Sequence, residues 1–258
     1  MPLITSTRDG GIMTITMNRP EVYNSFNRAM ALEMQDVIGL AGADKAIRCI
    51  VITGAGKAFC AGQDLNEVVD PNGPPLQEIV GQHFNPIIWK IRDIEKPFIA
   101  AVNGVAAGAG ANIALACDII VAKASASFIQ AFSKIGLIPD SGGTFALPRL
   151  VGFQKASALM MLGEKVSAVE AERLGMIYKY VDDAEFDGYI TDLANELSQM
   201  PTRGLGLTKR ALNASTVNDL YAQLSIEEEL QTMAGSTYDY DEGVKAFLEK
   251  RKPEFRGE

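Results

Sequence analysis

The sequence predicts an α/β fold whose second half is mainly helical. Up to about residue 122, short apolar runs bounded by glycine, proline or asparagine alternate with stretches of helical spacing. That alternation is the mark of βαβ units around a mainly parallel sheet. Beyond Gly142, apolar residues recur at spacings of three and four, as on one face of a helix. The length of 258 residues and the 47% apolar content suit one domain with a modest appendage.

Residues 2–18 read as two short strands around the turn at Asp9, Gly10 and Gly11, and residues 12–17 alternate in strand fashion. Asn18, Arg19 and Pro20 stop the second strand. Ser25 or Asn27 can cap a helix carrying Met30, Leu32, Met34, Val37 and Ile38. Residues 49–53 form a buried strand, ended by Gly54 and Gly56. Residues 57–75 read as a polar, Pro/Gly-rich loop. A helix is expected over 76–94, a strand over 98–102 after Pro97, then small residues, a short helix and a strand over 118–122. Later helices are expected at 153–162, 167–174, 184–199, 206–213, 217–232 and 240–251.

The net charge of −8 argues against nucleic acid or anionic membranes as principal partners, since both repel an acidic chain. A few local cations would still suffice for a small polyanion. Cys49, Cys60 and Cys117 form no CxxC pair and have mostly apolar flanks, which suits buried thiols in a reducing cytosol. His83 is the only histidine, so a zinc centre or a histidine-based triad would have to depend on it. The start of the chain lacks a basic segment followed by an apolar run, so no signal peptide is expected.

Three stretches can carry chemistry. The first is FCAGQDL at 59–65, after a strand, where Gly62 allows close backbone approach to a ligand. The second is NGVAAGAGAN at 103–112, between a strand and a helix, where helix N-terminal amides favour negative charge. Its glycines match neither a dinucleotide fingerprint nor a phosphate-binding P-loop. The third is FSKIGLIPDSGGT at 132–144, which sets Asp140 between an apolar run and a Gly-Gly turn. An acid against apolar surface has its charged form disfavoured and becomes a better base or acid near neutral pH. Each has a plain alternative: a strand-to-loop turn, tight helix packing and, for Asp140, a helix N-cap. Local context alone favours the cap.

Taken together, FCAGQDL, NGVAAGAGANIALACDII and FSKIGLIPDSGGTFALPRLVG resemble the crotonase (enoyl-CoA hydratase/isomerase) superfamily in order and spacing. The resemblance extends to NRPEVYNSFN at 18–27 and FLEKRKPEF at 247–255. Within the superfamily the chain is most similar to the PaaG-type isomerases of phenylacetate breakdown. This likeness implies a spiral of ββα units over residues 1–200 and a C-terminal helical oligomerisation region over 201–258. It also implies a cytoplasmic homotrimer or dimer of trimers, acting on an acyl-CoA substrate with no separate cofactor, metal or membrane.

By the same resemblance, the backbone amides of Gln63 and Ala109 form an oxyanion hole. Val22, Ala61, Gln63, Asp64 and Leu65 line coenzyme A. Phe247 and Lys250 reach it from a neighbouring subunit, although Lys250 also suits a solvated helix end. The two glutamates of hydratases fall at Asn112 and Phe132, here in the acyl pocket, and neither side chain is an acid. Asp140 matches the catalytic aspartate of the isomerases. The implied reaction is a Δ3 to Δ2 shift of an enoyl-CoA double bond, with ring-1,2-epoxyphenylacetyl-CoA to oxepin-CoA isomerisation as a related possibility. Hydratase, thioesterase or dehalogenase chemistry, and a non-catalytic acyl-CoA scaffold, stay open as alternatives.

Overall fold

A computed structural model describes residues 2–258. Strands β1 (Ile4–Asp9) and β2 (Ile12–Met17) pair antiparallel around Gly10, whose φ of +53° turns the hairpin. Helix α1 (Arg28–Ala43) follows, and Asn27 caps it by accepting from the Met30 amide at 2.9 Å.

A repeating unit then begins. A long strand enters one sheet, a short strand enters a second, and helices return the chain. The long-strand sheet runs β1-β2-β3-β5-β7-β10, with β3 (Cys49–Gly54), β5 (Phe98–Val102), β7 (Ile119–Lys123) and β10 (Lys179–Val181). Every pair after β1–β2 is parallel. The short-strand sheet runs β4-β6-β8-β9, with β4 (Ala58–Cys60), β6 (Val105–Ala107), β8 (Ser127–Ile129) and β9 (Lys165–Ser167). Each of β3, β5 and β7 is therefore followed within a few residues by its short partner.

The intervening helices are α2 (Leu65–Val69), α3 (Leu76–Glu78), α4 (Asn85–Asp93), α5 (Ala109–Ala116), α6 (Gly143–Val151), α7 (Phe153–Leu162) and α8 (Ala168–Arg173). The chain closes with α9 (Phe186–Gln199), α10 (Thr202–Ser215), α11 (Leu220–Gly235) and α12 (Tyr238–Glu249).

Both faces of the long sheet are covered, as expected of parallel strands. Ile50, Ile52, Phe98, Ala100 and Val102 face the main core with α1 residues Met30, Met34 and Ile38. The alternate residues Cys49, Val51, Ile99 and Ala101 pack under Phe186, Ala194 and Leu197 of α9. Two asparagines fasten the corner between the sheets. Asn24, fully buried, donates to the carbonyls of Ala55, Ala58 and Phe59. Asn103 accepts from the Gly54 amide and donates to the Gly56 and Ala58 carbonyls. These bonds satisfy turn groups that the sheets leave unpaired.

Several expectations need correction. The segment 57–75 is not all loop, since it holds β4 and α2. The helix expected over 76–94 contains a π-helical stretch, Ile79–Phe84, between α3 and α4. Residues 143–151 are helical, one helix earlier than expected. Strands β6, β8, β9 and β10 were not anticipated. Each has three residues, too few for an alternation to show.

Candidate active site

The loop after β4 is shaped by Gly62, which has a φ of +90°. It pairs with the segment before α1 through one parallel bridge between Phe26 and Gln63. The Phe26 amide donates to the Gly62 carbonyl and the Asp64 amide donates to the Phe26 carbonyl, both at 2.7 Å. A trans peptide holds its C=O and N–H on opposite sides. The Gly62 carbonyl points to Phe26, so the Gln63 N–H points away from it.

It points from a loop that runs against the start of α5. A methyl group on Gly62 would lie 3.4 Å from the Ala109 nitrogen and 3.0 Å from the Ala107 oxygen. Ala109 is the first residue of α5, and its amide is one of those a helix leaves without an internal partner. Gly110 fits the next position because any side chain there would strike Cys60. Two unpaired amides, of Gln63 and Ala109, therefore stand close together at the positive end of a buried helix.

One turn further along α5 is Asn112, 1% exposed. Its Nδ2 donates to the backbone carbonyl of Asp140 at 2.8 Å, and its Oδ1 accepts from Gln130 Nε2 at 2.8 Å. The Asp140 carbonyl also accepts from the Gly143 amide at 2.9 Å. Phe132 is buried, and its ring edge would lie 3.8 Å from a methyl placed on Gly108. The short helix Ala131–Ile135 that carries it follows β8 directly.

Asp140 is not the N-cap that local context favoured. Gly142 takes that position on α6, and the Asp140 carboxyl accepts from Ser141 Oγ at 2.8 Å. Ser141 holds a φ of +50°, a left-handed conformation costly for a serine. Burial pushes the Asp140 carboxyl up from its ordinary value, and the Ser141 hydrogen bond only partly offsets this. Among the described residues no cation pairs with Asp140. By contrast, Glu67 is occupied by the Arg28 amide and Gln63 Nε2.

Ala61, Gln63, Asp64 and Leu65 lie on one loop, held against the Arg19–Tyr23 segment that carries Val22. The Ala61 amide donates to the Tyr23 carbonyl at 3.0 Å. Arg19 Nη2 meets Asp64 Oδ2 at 2.8 Å. Burial pushes the Asp64 carboxyl up, but hydrogen bonds from Arg19 and Asn66 outweigh it and hold the group below its ordinary value. Asp64 also caps α2. Leu65 is exposed. Phe247 and Lys250 are not brought to this neighbourhood within the chain. Phe247, 83% exposed, lines a groove with Pro201, Val244, Leu248 and Phe255. Lys250 ends α12 in a left-handed conformation.

Gln130 and Ser141 were not singled out from the sequence. Ser141 stands beside Asp140, where a hydroxyl able to bond the acid could have been noticed. Gln130 carries no such signal, because its partner Asn112 lies on another turn of the spiral.

The sequence matches the family described as enoyl-CoA hydratase/isomerase over residues 7–258. It is 48% identical to a 1,2-epoxyphenylacetyl-CoA isomerase of Escherichia coli K12, covering 100% of this chain and 99% of that protein. It is 43% identical to a probable enoyl-CoA hydratase of Rhodobacter capsulatus, covering 96% and 95%. The fold superposes on the crystal structure of a putative enoyl-CoA hydratase/isomerase from Mycobacterium abscessus with a TM-score of 0.93 at 34% identity, covering 99% and 100%.

Proposed function

The chain belongs to the enoyl-CoA hydratase/isomerase family and has the crotonase fold, and on that premise we propose that it moves a double bond along the acyl group of a coenzyme A thioester. The observation that carries this reading is the state of Asp140: half-buried, unpaired with any cation, and raised by burial toward the range of a usable base.

The Asp140 carboxylate takes a proton from C2 of a 3-enoyl-CoA. Electrons move onto the thioester oxygen, giving a dienolate. The Gln63 and Ala109 amides stabilise that oxyanion, and one such donor is typically worth about 3–4 kcal/mol. The protonated Asp140 returns the proton to C4, and the product is the 2-enoyl-CoA. Asn112 and Phe132 hold no acid to activate water, which favours isomerisation over hydration.

The likeness to the E. coli isomerase makes a ring epoxide of phenylacetyl-CoA the next substrate class to try. Coenzyme A lies along Val22, Ala61, Asp64 and Leu65 in this reading. Phe247 and Lys250 close it from another subunit of a homotrimer, or of a dimer of trimers. The exposure of Phe247 in the single chain supports that part.

The test is a paired assay of the pure protein with 3-enoyl-CoA and 2-enoyl-CoA, following double-bond migration and water addition separately. Migration without hydration is the expected result. Hydration would overturn the single-aspartate reading, and tight binding without turnover of either isomer would favour a scaffold.

A further inference from the structure

We propose that Gln130 and Asn112 form an amide relay that fixes the Asp140 turn, and that both are positioning residues for Asp140. The inference rests on the proton-shuttle reading above.

The direction of the relay is forced. The Asp140 backbone carbonyl can only accept, so Asn112 must turn its NH2 group toward it. The Asn112 oxygen then faces Gln130, which must present its own NH2 group. The remaining oxygen of Gln130 is left buried without a partner. Leaving an acceptor unsatisfied is unfavourable, and a structure built only for stability would place an apolar side chain there. Gln130 is 3% exposed, so contact with bulk solvent does not account for its polarity.

The surroundings of the turn give the tether a purpose. Ile135 and Ile138, just ahead of it, are 54% and 80% exposed. Behind it, a cavity of about 460 Å³ adjoins Asn112, Ser141 and Gly142. Ser141 and Gly143 are buried, but the approach to Asp140 and the space beside it are open, so hydrogen bonds to the Asp140 carbonyl help to locate the acid. The bonds to the Asp140 carbonyl come from Gly143, on the same turn, and from Asn112. Asn112 lies three residues from Ala109, so α5 sets the distance between the acid and the oxyanion amide. Gly143 belongs to the same device, since a methyl there would come 2.4 Å from Asn112 Nδ2.

The experiment uses the full chain with Asn112→Leu, Gln130→Met and the double variant. Gln130→Met removes the orphaned oxygen but leaves the buried Asn112 Oδ1 without its donor, so thermal unfolding is measured beside the kinetics and the comparison is made on folded protein. The expected kcat falls about 100-fold in Asn112→Leu and about tenfold in Gln130→Met, with KM for the thioester little changed. The double variant falls no further than Asn112→Leu alone, because the two residues act as one unit. A kcat within about twofold of the parent in folded Gln130→Met, or losses that multiply in the double variant, overturns the relay.

Hydrogen exchange gives a readout that does not depend on the reaction. The Gly143 amide should exchange faster in both single variants, and unchanged exchange overturns the relay. If the parent protein isomerises nothing but its Gly143 exchange responds to these substitutions, the proposed reaction has failed and the relay has not.

Discussion

Gly62 runs so close to Ala109 that a methyl group on it would lie 3.4 Å from the Ala109 nitrogen. The same methyl would lie 3.0 Å from the Ala107 oxygen, which is backbone and cannot swing aside. The φ of +90° adds strain for any side chain, roughly 1–3 kcal/mol. Gly62→Ala should therefore push the Gln63 and Ala109 amides apart. Isomerase kcat should fall about 100- to 1000-fold, the loss of one oxyanion donor, while the protein stays folded. Steady-state kinetics beside thermal unfolding checks this. A variant as active as the parent would mean that these two amides are not the oxyanion site.

Asp140→Asn separates chemistry from stability. Its side chain can still accept from Ser141, but it cannot take a proton, so isomerisation should vanish while thioester binding survives. The stability effect has the opposite sign. Burial raises the Asp140 carboxyl above its unfolded value, so between those two values the native state binds more protons than the unfolded state. Wild-type stability then falls as pH rises through that window. At neutral pH the Asn variant should be the more stable protein. The difference should close as pH falls below the ordinary aspartate value. Denaturant unfolding at several pH values reads it. A variant less stable than the parent at neutral pH would show that ionised Asp140 is not under burial strain.

How much of this could be read beforehand differed by element. The hairpin at Gly10, a cap at Ser25 or Asn27 and strands β3 and β5 announced themselves through local residue patterns, and the structure chooses Asn27. Strand β6 did not, because Val105, Ala106 and Ala107 are only recruited by their neighbours β4 and β8. Asp140 shows the limit most clearly. Its neighbours Ser141, Gly142 and Gly143 suit a cap, and nothing local reveals the cavity or the amide from Asn112. Only the resemblance over the whole chain singles out Asp140 as a candidate acid, where local chemistry pointed to a cap. Gln130 and its orphaned oxygen were invisible to both, because its contact with Asn112 is made across the spiral.

The three cysteines should be unreactive in the native protein. All are buried, and burial pushes the thiols of Cys49, Cys60 and Cys117 up to about 12. For Cys49 and Cys117 the neighbouring Asp118 acts in the same direction. A thiol reagent attacks the thiolate, which is then scarce at neutral pH. A chromogenic disulfide should label none of the three in buffer and all three in denaturant. Rapid native labelling of any one would expose an opening motion at its strand or helix.

The C-terminal tail should come loose in acid through Glu242. This carboxylate accepts from Arg251 Nη1 and Nη2 at 2.6 and 2.8 Å and from the Glu254 amide at 2.8 Å. The Arg251 hydrogen bond, then that of Glu254, hold it down at about 2. Asp239 holds the Arg256 and Gly257 amides, and Arg48 holds the Phe255 carbonyl, so the tail is tied to α12 and to the residue just ahead of β3. A carboxyl depressed in the folded state contributes stability above its ordinary value, and that contribution is lost as pH falls toward the depressed one. Hydrogen exchange in residues 251–257 should therefore accelerate as pH drops from the ordinary glutamate value toward about 2, after correction for the intrinsic rate. Glu242→Gln should exchange faster at neutral pH and lose most of this acid dependence. A tail that stays protected in the Gln variant would show that Asp239 and Arg48 suffice to hold it.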